Sequence, residues 1–149
     1  MNRSLRCPPA YFFLAILAML LLHRFIPVAH LVPAPSNDAG LGLIALGLAL
    51  VAWAVLLFRR HGTSTTPGTK PAALVTGGPF GFTRNPMYLG LLLGLIGLAL
   101  WLGSLTPWLA IPFFWMVINF AIIPLEEKIV ESAFGDEYRA YRERVRRWL

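Results

Sequence analysis

Arg84 is the one charged residue in a stretch, Leu74–Gly90, that reads LVTGGPFGFTRNPMYLG. Gly77, Gly78, Pro79, Gly81 and Pro86 surround it, and an apolar helix is predicted to start near Met87. Clustered glycines allow positive φ and close backbone approach, and Pro86 suits a first helical turn whose free amides can meet an anionic or polar ligand. The same residues would equally serve a membrane-proximal turn that needs them for geometry alone. About 40 residues later, Glu126 and Glu127 follow Pro124. In a first helical turn these carboxylates complement the helix dipole, which is a sufficient structural role. At the end of an apolar segment, where desolvation is costly, they also suit a cationic or hydroxyl-rich ligand with Arg84 opposite.

The elements that must hold these groups are membrane helices. In 149 residues, 57% are hydrophobic and 13% charged, far from a soluble composition and sufficient for a single domain, 1–149. Tyr11–Ile26, Leu41–Phe58, Met87–Leu102 and Trp108–Ile123 are apolar runs near the roughly 17–25 residues that cross a bilayer. Arg3 and Arg6 before the first run resemble a signal peptide, but His23, Arg24 and Pro27 follow it instead of a small-residue cleavage site, so it is read as a span. Four spans put the N-terminus, the Arg59–Asn85 loop and the C-terminus on one side. Of the 13 Lys and Arg residues only Arg24 lies on the other side. This asymmetry predicts an integral protein of the plasma (inner) membrane with both termini cytoplasmic. It also assigns the net charge of +6 to topology and not to nucleic-acid binding. The lone Cys7 cannot form an internal disulfide.

Along the chain, Pro27, Pro33, Pro35 and Gly40 make an outer connection, and His23 and His30 lack the partners of a metal site, so no metal is expected. Gly40, Gly42 and Gly47 in the second span, and Gly90, Gly94 and Gly97 in the third, have the spacing that lets helix backbones approach in lipid. Room for a lipid tail or cofactor is their alternative use. The 59–73 loop is polar and too small for a domain. The third and fourth spans form a hairpin turning at Gly103–Pro107, which returns Glu126 and Glu127 to the membrane face of Arg84–Tyr88. After Pro124, Phe134, Tyr138, Tyr141, Val145 and Trp148 recur at helical spacing beside five arginines, with Gly135 closing one helix and Asp136 capping the next. The expected fold is therefore all-α: a polytopic membrane protein of four transmembrane helices with a C-terminal amphipathic cytoplasmic helix pair.

In order, LVTGGPF, RNPMYLG, the Glu126–Glu127 pair and FGDEYRAYRERVRRW (Phe134–Trp148) resemble the isoprenylcysteine carboxyl methyltransferase family and the related phospholipid N-methyltransferases. The resemblance covers the chain from Leu74 onward. It implies an integral membrane enzyme that uses S-adenosyl-L-methionine. Matched by position, the cofactor would meet Leu74, Val75, Phe80, Asn85, Pro86, Met87, Tyr88 and Glu127; in the same reading the amides near Gly78 and the neighbouring Glu126 join them, with Arg84 and Glu127 as the catalytic pair. Of the two carboxylates, Glu127 is expected to face the pocket. Asn85 stands where the family usually has histidine, and it cannot become cationic or act as a base. Ile123 stands where the eukaryotic carboxyl methyltransferases have a substrate-contacting arginine, and Phe80 where tyrosine is common.

The implied chemistry suits so few polar groups, because methyl transfer from a sulfonium needs mainly positioning and exclusion of water. The acceptor would be a lipophilic small molecule, prenylcysteine-carboxylate-like or phospholipid-like, reaching the site from the bilayer between the glycine-bearing helices. Two other readings fit the same residues: a non-enzymatic small membrane protein, and a membrane reductase of related architecture.

Overall fold

The computed structural model describes residues 8–64, 66 and 69–149, so Arg3, Arg6 and Cys7 lie outside the described residues. Among those described there is no strand. The elements are α1 (Pro8–Phe25), α2 (Ala39–Arg60), α3 (Pro86–Leu102), α4 (Ala110–Val117), α5 (Ile123–Phe134) and α6 (Asp136–Arg144), with a π-helical turn, Ile118–Ile122, joining α4 to α5. Three helical stretches, Pro8–Phe25, Ser36–Arg60 and Thr106–Phe134, are long and apolar enough to cross a membrane; α3 is shorter, at 17 residues.

Glycines set the central contact. α2 and α3 lie so close that a Cβ at Gly90 would stand 2.6 Å from the Gly47 carbonyl oxygen, and one at Gly97 would stand 2.6 Å from that of Gly40. In lipid, where apolar burial gives helices little reason to associate, such backbone approach supplies the packing. α1 adds Ala15 and Met19 to a core of Leu95, Ala99, Phe114, Ile118 and Ile123. Leu46, Leu48, Leu56, Phe113 and Phe120 remain exposed, as lipid-facing side chains do. At the far end, α3 closes on Gly103 at φ +75°, and Leu31 N–H donates to the Gly103 carbonyl at 2.8 Å. His23 Nδ1 lies 2.7 Å from the Ser104 hydroxyl in the same layer.

Two expectations change at the C-terminal end. Pro124 does not separate a span from a new helix, because the chain stays helical from Thr106 to Phe134. Glu126 and Glu127 therefore do not occupy a free first turn, and the dipole explanation for them weakens. Asp136 is the first residue of α6, not its cap: Gly135, at φ +53°, occupies that position, and no side chain caps the helix.

Candidate functional site

The loop before α3 is shaped by short-range chemistry. The Thr63 hydroxyl, itself buried, brackets Ala73 by donating to its carbonyl at 3.2 Å and accepting from its N–H at 3.0 Å. Gly78, at φ +57°, opens a 3₁₀ turn through Gly81 that turns Phe80 inward. Phe80 stacks on Phe58 of α2 with centroids 4.9 Å apart and planes 9° from parallel. Its carbonyl accepts the Tyr141 hydroxyl at 2.7 Å. Burial pushes the Tyr141 phenol up to about 12 against the opposing charge of Arg84, so it stays a donor at neutral pH. Burial also raises Tyr138, with the Glu127 charge adding to it and Arg84 and Arg142 opposing.

The hairpin brings the predicted groups together. Tyr88, in the first turn of α3, donates to Glu126 Oε1 at 2.8 Å. No other hydrogen bond and no ion pair holds Glu126 among the described residues. Glu127 is held on both oxygens. Arg84 Nη2 lies 3.1 Å from Oε1, while Arg147 gives Nε to Oε1 at 3.2 Å and Nη2 to Oε2 at 2.6 Å. Both Arg84 and Glu127 are largely buried, at 10% and 15% side-chain exposure. The Arg84 Nε is buried without a partner among the described residues.

These groups form the polar end of a cavity of about 470 Å³, within the range of small-molecule and cofactor sites. Leu74, Val75, Phe80, Arg84, Asn85, Pro86, Met87, Tyr88, Glu126 and Glu127 all line it. Gly78 does not; a Cβ there would face Leu57 and Trp53 at 3.3–3.4 Å, so this glycine serves the turn and its packing on α2. The apolar walls come from Phe12 and Phe13 of α1, Val51, Val55 and Phe58 of α2, and Leu91 of α3. The expected acceptor route between the glycine-bearing helices is closed, because α2 and α3 touch through their backbones. Residues of α1 and α2 stand on opposite apolar walls of the cavity.

Two polar residues beside the site were missed in the sequence. Asn119 accepts Trp148 Nε1 at 3.0 Å and Arg147 Nη1 at 3.4 Å on Oδ1. A lone amide within an apolar run is expensive unless paired, so this signal was there to use. Arg147 carried none, since it reads like the neighbouring arginines of a headgroup-facing helix.

The fold matches the structure of a eukaryotic intramembrane Ras methyltransferase, isoprenylcysteine carboxyl methyltransferase, with a TM-score of 0.67 and 24% identity, over 97% of this chain and 52% of that one. The chain thus spans about half the length of that protein. Residues 37–137 match the phospholipid methyltransferase family, and the chain belongs to that family. It is also 54% identical over 63 residues to an uncharacterized protein of Haemophilus influenzae, which is 42% of this chain and all of that relative.

Proposed function

We propose that the protein is an S-adenosyl-L-methionine-dependent methyltransferase acting on a lipophilic acceptor, prenylcysteine-carboxylate-like or phospholipid-like, at the cytoplasmic membrane face. One observation carries this reading: a cavity with largely apolar walls also holds Arg84, Asn85, Tyr88, Glu126 and Glu127, with a buried Arg84 Nε that has no partner among the described residues. A buried donor without an acceptor costs stability unless a ligand completes it, and a carboxylate-bearing ligand fits that requirement. When bound, S-adenosylmethionine supplies a methyl group on a sulfonium, which is open to in-line displacement. The chain's own work is binding, orientation and exclusion of water.

In this assignment Arg84 holds the cofactor's carboxylate. Glu126, whose second oxygen is uncommitted, takes its cationic amino group or its hydroxyls. Leu74, Val75, Phe80, Pro86, Met87 and the ring of Tyr88 enclose the adenosine, and Asn85 adds a neutral polar edge in place of a histidine. Glu127 keeps Arg84 in place instead of meeting the ligand head-on. The acceptor's apolar tail lies between Phe12 and Phe13 on one side and Val51 and Val55 on the other. The topology follows the charge asymmetry: four spans in the inner membrane with both termini inside.

The test is calorimetric titration of S-adenosylmethionine into protein held in lipid nanodiscs, with reduced nicotinamide as the comparison ligand. Saturable binding of the first and none of the second is expected. Binding of neither, or of nicotinamide alone, would overturn the assignment. A reporter fused after Leu149 should be active only in a cytoplasmic form.

A further inference from the structure

The matched family region ends at residue 137, yet the chain beyond it is built into the site. Val145 leaves α6 in an extended conformation, and the loop before α3 clasps the residues that follow. Arg84 N–H donates to the Arg146 carbonyl at 2.9 Å, while the Thr83 hydroxyl and Asn85 Nδ2 both donate to the Arg147 carbonyl, at 3.1 and 3.0 Å. Trp148 is tied to Asn119 at the π-turn. Four anchors on three consecutive residues fix where the Arg147 guanidinium can reach.

We propose that Arg147 is a positioning residue for the candidate site, acting through Glu127 to set the orientation of Arg84. The inference rests on the reading that the cavity takes S-adenosylmethionine. Arg147 does not line the cavity, whereas Arg84 and Glu127 do. A carboxylate and a guanidinium left alone together favour a bidentate pair, with two parallel N–H···O bonds. Here Arg147 occupies that fork on Glu127, with Nε and Nη2 on the two oxygens. Arg84 is left one contact, through Nη2, while its Nη1 is drawn to the Arg142 carbonyl at 3.3 Å. Its Nε consequently stays unpaired beside the cavity.

Three substitutions and one ligand separate this role from mere support. S-adenosylmethionine is titrated into nanodisc-embedded parent, Arg147→Lys, Arg147→Ala and Glu127→Gln proteins and into the Glu127→Gln/Arg147→Ala double variant, each with a thermal melt. Arg147→Ala should weaken binding by about 10–100-fold, the range seen when a group that orients a ligating residue is removed. Arg147→Lys should recover part of it, since an ammonium restores the charge but not the fork. Adding Arg147→Ala to Glu127→Gln should cost no further affinity, because both act through one contact. Parent-like affinity in Arg147→Ala or Arg147→Lys, with only the melt lowered, would make the tail a structural strap and overturn the inference while leaving the cofactor reading intact. Additive losses in the double variant would also overturn it. A parent protein that does not bind the cofactor would instead remove the reading beneath the inference, and the inference with it.

Discussion

Glu126→Gln and Glu127→Gln, adjacent and chemically identical changes, should separate in the melt: the first should weaken binding with the fold kept, the second should lose stability as well. Glu126 accepts one hydrogen bond, from Tyr88, and meets no cation among the described residues. A glutamine oxygen can still accept from Tyr88, so the fold should change by no more than about 1 kcal/mol, the scale of one ordinary hydrogen bond. What is lost is the carboxylate charge offered to the ligand. A hydrogen bond to a charged group is worth about 1.5–3 kcal/mol, which is roughly 10–140-fold in affinity at 1.4 kcal/mol per decade.

Glu127 is the opposite case, taking three N–H donors from two arginines. Removing one partner of a buried ion pair costs about 3–5 kcal/mol. Arg147 is 32% exposed, and water offsets part of its lost partner, so about 2–3 kcal/mol is the better expectation. Calorimetric titration of S-adenosylmethionine and thermal melts of both variants in nanodiscs read the two effects separately. Parent-like affinity in Glu126→Gln would refute the role of its free oxygen. A parent-like melt in Glu127→Gln would refute the double clamp.

Two further outcomes follow from packing and titration. Gly47→Ala should destabilise by about 1–3 kcal/mol, as overpacking does, because its Cβ meets the Gly90 backbone, whereas Gly42→Ala, open on all sides, should melt at or slightly above the parent temperature. Tyr141 ionises near 12 in the folded protein against about 10 unfolded; its stabilising effect should be intact below pH 10 and lost as pH rises through 12, and Tyr141→Phe should melt with a shallower alkaline decline.

Much of the site could be read from residue order because the relevant distances are short or set by one hairpin. The glycine loop, Asn85–Tyr88 and the acidic pair are each local, and a helix that goes out and returns must put its two ends on one face. The glycine spacing likewise named the α2–α3 contact correctly as packing. It misplaced the acceptor route for the same reason, since glycines that bring backbones together leave no gap between them. Arg147 was illegible because its partner lies 20 residues back across a turn, and five arginines in a short segment look alike until the tail's path is known. Glu127 was expected to face the pocket more squarely than Glu126; both carboxylates line it, and what the sequence did not show is the second cation that Glu127 holds.

The helical register of the acidic pair depends on a proline whose effect runs backward along the chain. Pro124 has no N–H to give the carbonyl one turn before it, and its ring crowds that same carbonyl. The helix answers by widening to a π-turn over Ile118–Ile122, without breaking. One extra residue in that turn rotates everything after it by about 100° relative to an unbroken α-helix. The same widening brings the Asn119 carbonyl within reach of Arg147 Nη1, at 3.4 Å. A span widened ahead of its proline thus faces one carboxylate toward Tyr88 and the other toward two arginines.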